Sequence, residues 1–310
     1  MTMPPALLRG ISLPGQGRDR AAEPAPGEIR TGFATVCETN LAYRFDGREI
    51  QVSTDLAYGS TDPESARSVS ATGLVPDGRG VWCIDAGTNL AVTLAGAGFD
   101  WFCLDLQHGR YDRRDLIDIA RSLTERSAPL VVRVPSVEFT EIGLALDVGA
   151  AAVIVPQVDT PEQAARAVEA TFYPPEGRRS FGQLQQIWGA AQLDPADANR
   201  RTACAVMIES ATALDNVDAI AAVPGIDMLF IGPFDLTLSL GSSIDAELDD
   251  HSDSSAINRI LRAADAHHLR VGAFGANPTR ARRFNERGIS CTAWATDAWI
   301  ISQGIAAAQA

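Results

Sequence analysis

Four short segments carry polar residues whose types and spacing suit chemistry. Asp105, Gln107 and His108 close one apolar run as Asp-Leu-Gln-His, and Arg133 ends another in Val-Val-Arg-Val-Pro. Glu209 terminates Ala-Val-Met-Ile-Glu, and Asp235 follows a Gly-Pro turn after the next apolar run. Two carboxylates brought to one spot repel each other, and a divalent cation relieves the repulsion. Hard oxygen ligands suit Mg²⁺ or Mn²⁺, with Co²⁺ or Zn²⁺ as further options, and leave positions for water and substrate. The same carboxylates also suit two structural roles, pairing with an arginine or capping the next helix. Arg133 either neutralises them or binds an anionic substrate through its planar fork. His108 is one of four histidines, beside His251, His267 and His268. Most lone histidines are structural, but a position just past an apolar run raises the proton-transfer reading.

Composition excludes several kinds of chemistry. All 26 basic residues are arginine, and the chain has no lysine. A Schiff-base aldolase, a pyridoxal-phosphate enzyme and a Walker-type phosphate loop each need a lysine amine. A formal net charge of −13 repels polyanions, so neither nucleic acid nor an acidic membrane is expected as a partner. The five cysteines, Cys37, Cys83, Cys103, Cys204 and Cys291, are odd in number and form no C-x-x-C pair. Cys83, Cys103 and Cys204 lie in apolar runs, where a small buried hydrophobe is expected, not a nucleophile. No apolar run reaches the ~18 residues of a membrane span, and the first residues lack the apolar centre of a signal peptide. A soluble, reduced, cytoplasmic setting is the expectation.

The elements that must position the polar residues follow from texture. Residues 1–75 are rich in Pro, Gly, Ser, Arg and acids, with one plausible strand pair between 32 and 52. They are expected to form an extension, either a poorly ordered tail or a small accessory hairpin. Residues 76–310 alternate apolar runs of strand length with amphipathic stretches of helix length. The strand candidates are 81–84, 101–106, 130–134, 152–156, 204–208, 228–231, 270–274 and 290–294. Helices follow near Asn89, Arg114, Glu138, Pro161, Ala211, Ser255, Pro278 and Asp297. Runs apolar throughout, not alternating, indicate strands buried on both faces under helices. Eight such units in about 230 residues predict a closed (β/α)8 TIM barrel over an open doubly wound sheet. In that fold the site lies at the C-terminal ends of the strands, where Asp105, His108, Arg133, Glu209 and Asp235 all fall. The Gly96-Ala-Gly98 triplet precedes a strand, so it is a helix-ending turn and not a dinucleotide fingerprint.

With these residues assembled, the chain from about Gly80 onward resembles the HpcH/HpaI family of class II, metal-dependent pyruvate aldolases, barrels of the phosphoenolpyruvate/pyruvate type. That family includes 4-hydroxy-2-oxoheptanedioate aldolase and 2-keto-3-deoxy sugar-acid aldolases. The run from Ala97 to His108 is similar to the family's A-G-F-D followed by D-x-[EQ]-H. Pro129 to Pro135 resembles P-x-x-V-R-V-P, Leu146 to Ala150 resembles L-D-x-G-A, and Tyr173 to Arg178 resembles Y-P-P-x-G-x-R. Met207-Ile-Glu209 and Ile231 to Leu236 are similar to the metal-binding I-E and G-P-x-D-L elements.

The resemblance implies that Glu209 and Asp235 ligate the metal and that Arg133 contacts the keto or enolate oxygen of pyruvate. It implies proton transfer by His108 by way of a water, with Asp105 supporting the network and Asp147 reaching in from a neighbouring subunit. It also implies a homo-trimer or homo-hexamer that exchanges C-terminal helices, and the alanine-rich end from Asp297 suits this. Three positions depart from the family pattern. Many members have Glu where Gln107 stands and Gln where Met207 stands, and Phe234 replaces a common alanine beside the metal aspartate. These substrate-facing changes leave the aldehyde open. The expected activity is formation or cleavage of 4-hydroxy-2-oxo acids from a pyruvate enolate and an aldehyde. The alternatives are an oxaloacetate decarboxylase, an acyl-CoA lyase of the same barrel type, or a barrel that binds a keto acid without turnover.

Overall fold

The structure, a computed structural model, describes residues 41–45, 48–52 and 77–310 apart from 125 and 126. Strands β1 (Leu41–Phe45) and β2 (Arg48–Val52) pair antiparallel, with Phe45 opposite Arg48. This hairpin falls in the later part of the segment where a strand pair is expected. The rest of that segment, including Cys37, lies outside the described residues. The hairpin and the barrel belong to separate units, divided near residue 64.

Eight parallel strands close into a barrel: β3 (Gly78–Cys83), β4 (Trp101–Asp105), β5 (Leu130–Arg133), β6 (Ala152–Val155), β7 (Ala203–Ile208), β8 (Met228–Ile231), β9 (Arg270–Phe274) and β10 (Cys291–Thr296). Each pairs with the next in sequence, and β10 closes the ring on β3 across a register shift between Ala293 and Ala295. The unbroken apolar runs have a direct cause. In β7, Ala203, Ala205 and Met207 face the barrel lumen, whereas Cys204, Val206 and Ile208 pack under the helices. Both faces are dry, so neither can be polar. The lumen is filled by matching large residues to small ones across strands. A Cβ on Gly80 would lie 2.3 Å from the Trp101 ring, and one on Gly272 would lie 2.6 Å from Phe230.

Side-chain caps start many of the helices. Asp112 and Thr160 form reciprocal capping boxes with Asp115 and Gln163, and Ser255, Asn277 and Thr296 accept from the first turns of their helices. The C-terminal helix Asp297–Gln309 has a second anchor. One carboxylate oxygen of the buried Asp297 accepts the backbone N–H groups of Ile84, Asp85 and Ala86 at 3.0, 2.8 and 2.7 Å. That contact ties the last element to the end of β3, 211 to 213 residues earlier.

Two expectations need correction. The first barrel strand begins at Gly78, earlier than 81, because Gly78-Arg79-Gly80 has no apolar signature, although its backbone pairs with β10. The segment after β8 holds three helices, Pro233–Leu240, Ile244–Asp249 and Ala256–Ala266, where one near Ser255 was expected. Asp235, expected just after a Gly-Pro turn, lies in the first turn of the helix that begins at Pro233. The cysteine reading holds: Cys83, Cys103, Cys204 and Cys291 are buried, and none is in a disulfide among the described residues. Burial pushes the thiols of Cys83 and Cys103 up, and that of Cys291 up to about 12. Among the described residues, no helix is long and apolar enough to cross a membrane.

Candidate active site

Asp105 ends β4 with its side chain turned into the lumen, fully buried. Its carboxylate is saturated by donors. Trp82 Nε1 donates to Oδ2 at 3.1 Å, and the backbone N–H groups of Gln107 and His108 both donate to Oδ1 at 3.0 Å. Arg133, at the end of the adjacent β5, donates through Nε to Oδ1 at 2.9 Å and through Nη2 to Oδ2. Burial pulls the Asp105 carboxyl up, but the Arg133 hydrogen bond and charge outweigh it and hold it below the ordinary range. The carboxylate is thus fixed in its charged form and orients the guanidinium. Arg133 also lies over the Trp82 ring, 5.2 Å from its centroid. The partner of Arg133 is therefore Asp105, and not the carboxylates of the next strands. One edge of its guanidinium stays clear of Asp105.

Glu209 follows β7 directly and is 6 % exposed. Its Oε1 accepts the backbone N–H of Gln157 at 2.7 Å, from the loop after β6. Gln157 holds a left-handed φ of 55°, a conformation that costs a non-glycine residue about 1 kcal/mol or more and that aims its N–H at the carboxylate. Gly232 makes room from the other side, since a Cβ there would lie 2.7 Å from Glu209 Oε2. Burial pushes the Glu209 carboxyl above its ordinary range, and the charge of Asp235 adds to this; Gln157, Arg133 and His108 act the other way. Asp235 is exposed, three residues past Gly232. Among the described residues, no arginine forms an ion pair with either carboxylate. No group of three or more His, Cys, Asp or Glu side chains gathers there or elsewhere among those residues. Among the described residues, the protein thus presents two hard oxygen donors of like charge, one buried, neither of them ion-paired with an arginine. That donor set fits a divalent ion that completes its shell from substrate and solvent.

A profile of the HpcH/HpaI aldolase/citrate lyase family matches residues 79–303, which contain every one of these groups. The chain belongs to the HpcH/HpaI aldolase/citrate lyase family. It is 38% identical over 220 residues to a 5-keto-4-deoxy-D-glucarate aldolase of Klebsiella pneumoniae, covering 70% of this chain and 85% of that one. It is 35% identical over 223 residues to a 2-dehydro-3,6-dideoxy-6-sulfogluconate aldolase of Pseudomonas putida, covering 70% and 86%. A crystal structure of an HpcH/HpaI aldolase/citrate lyase family protein from Burkholderia cenocepacia superposes with a TM-score of 0.66 at 33% identity. It covers 75% of this chain and 93% of that one. Like these HpcH/HpaI relatives, the chain is a carbon–carbon lyase of the class II pyruvate aldolase type.

Most of the residues expected at an HpcH/HpaI site meet at the C-terminal mouth of the barrel. His108 is exposed there, close enough for its charge to act on Glu209. Gln107 turns its Oε1 into a buried position with no partner, and Met207 is buried in the lumen with its terminal methyl against Gly232. Phe234 is 48 % exposed beside Asp235. Asp147 does not join them. It ends the helix Phe139–Asp147, whose return direction carries it toward the opposite end of the barrel, where it pairs with Arg179 Nη2 at 2.7 Å. Sequence reasoning missed Trp82, Gln157 and Phe274. Gln157 stands just past a strand end, where the rule that found His108 reaches it; Trp82 and Phe274 lie in the last two residues of their strands and escaped because aromatic residues read as core.

Proposed function

We propose that the chain condenses pyruvate, or a related 2-oxo acid, with an aldehyde and cleaves the corresponding 4-hydroxy-2-oxo acids, using a divalent ion held by Glu209 and Asp235. The observation that carries this reading is the buried Glu209 carboxylate, set near Asp235 with no ion-paired arginine among the described residues, at the same barrel mouth as an arginine locked in place by Asp105. When bound, the ion withdraws electron density from the keto oxygen and stabilises the enolate. Arg133 presents the edge of its guanidinium not taken by Asp105 to that same oxygen, and it enters pre-oriented because Asp105 and Trp82 fix it. The enolate carbon attacks the aldehyde carbon, and the aldehyde oxygen takes a proton from His108. In reverse, His108 accepts the hydroxyl proton, the carbon–carbon bond breaks, and the electron pair returns to the keto oxygen.

Mg²⁺ or Mn²⁺ suits the oxygen-only donor set best. Asp147 can serve only a neighbouring subunit's site, given its place on its own chain. The exposed Ile301 and Ile305 of the C-terminal helix support a homo-trimer or homo-hexamer. The deciding test uses the absence of lysine. Borohydride added with pyruvate should leave activity intact and give no active-site adduct by mass spectrometry. A chelator should abolish activity, and Mg²⁺ or Mn²⁺ should restore it. Full activity after verified metal removal would overturn this mechanism.

A further inference from the structure

A row of aromatic rings crosses the barrel mouth between two guanidinium groups. Arg133 lies over Trp82, Trp82 meets Phe274 edge-on at 4.9 Å, and Phe274 packs against Phe234 at 5.9 Å. Arg280 lies over Phe234, 5.2 Å from its centroid. The two ends of the row differ in charge. Arg133 is neutralised by Asp105, whereas Arg280 takes no carboxylate among the described residues. The one acceptor of its side chain among the described residues is the Gly275 carbonyl, to which Nη1 donates at 3.2 Å. The side chain is nonetheless held in place. Asn277 caps the Arg280 backbone N–H at 3.0 Å, the intervening Ala276 adopts a left-handed φ of 63°, and Arg280, a partly buried residue, sets its guanidinium against the Phe234 face. A fixed cation with free N–H donors, beside an exposed ring next to the metal aspartate, is a built half of an anion contact.

We infer that Arg280, backed by Phe234, is the specificity determinant for an anionic group at the far end of the aldehyde. The inference rests on the aldolase reading above. Arg133 lies over Trp82 and Arg280 over Phe234, two different rings of the row, so the keto acid at Arg133 and the anion at Arg280 are assigned to different reactants. The aldehyde partner, which enters from the open mouth, supplies the second anion. Arg133 and the ion thus act on the enolate end, and Arg280 selects the acceptor by charge.

The test compares 4-oxobutanoate and 5-oxopentanoate, each against its uncharged methyl ester, as acceptors for pyruvate with the full-length protein and Mn²⁺. The wild type should favour the acids in kcat/KM. Arg280→Gln should lower that acid-to-ester ratio about 10- to 100-fold, chiefly through KM for the acid, as expected for loss of a hydrogen-bonded charge pair. Arg280→Lys should retain part of the preference. A wild-type ratio near one, or a ratio unmoved in Arg280→Gln, overturns the assignment. An equal fall for acid and ester does so too, because it marks Arg280 as structural. Exchange of the pyruvate methyl protons by the wild type, read without aldehyde, separates the two levels. Its absence defeats the aldolase reading, and its presence with an unshifted ratio defeats only the role of Arg280.

Discussion

At the scale of single residues, the site divides into groups already satisfied by the protein and groups that are not. Asp105 makes every bond its carboxylate can hold, so it positions Arg133 and is not itself a base. Asp105→Asn leaves a buried guanidinium without its counter-charge and should cost about 3 kcal/mol, seen as a lower melting temperature. The sign with pH follows from its lowered pKa. The wild type's advantage is present above the ordinary aspartate value of about 3.9 and fades as the pH falls below it, so the two melting curves should converge in acid. Glu209 and Asp235 form no ion pair with an arginine among the described residues. Glu209→Gln and Asp235→Asn should each abolish metal-dependent turnover while the fold survives, since a lost charged ligand weakens the ion far more than it disturbs packing. Manganese titration that returned wild-type affinity for both variants would reject the ligand assignment. His108→Ala should keep metal binding and lose about 100- to 10,000-fold in cleavage rate, measured in the lyase direction at saturating metal.

At the scale of elements, the site depends on loops pinned by contacts distant in sequence. The β6 loop is pinned through Gln157 to Glu209, and the end of β3 is pinned by Asp297 at the start of the last helix. Three N–H groups converge on one buried Asp297 oxygen, and Asp297→Ala would leave them without an acceptor. A loss of about 3 kcal/mol should follow, a drop of roughly 6 to 12 °C in melting temperature for a domain of this size. An unchanged melt would show that water replaces the carboxylate at no cost. The strain at Gln157 and Ala276 belongs to the same pattern. Both left-handed residues lie just past the C-terminal ends of strands, where backbone strain serves the site and not the barrel.

At the scale of the molecule, the family match begins at residue 79, and every proposed site residue lies between Trp82 and Arg280. Removing residues 1–75 should therefore leave a folded barrel with wild-type melting behaviour and aldol activity. An insoluble or inactive product would show that the segment packs on the barrel or completes the site. Much of the barrel was legible in the chain itself. Burial on both faces makes a strand's whole run apolar, a local property of consecutive residues, and the polar residues that break such runs at their ends mark the mouth. The lack of lysine, likewise a property of the linear chain, removes the side-chain amine that an imine route uses. Lateral partners are another matter. That Arg133 is held by Asp105, that Gln157 donates to Glu209 across 52 positions, and that aromatic rings link Arg133 to Arg280 all depend on barrel closure, strand register and side-chain rotamers. Spacing along the chain encodes none of these. The linear pattern located the candidates, and only the closed ring decided which of them touch, because contact across a barrel is set by three-dimensional register and not by sequence separation.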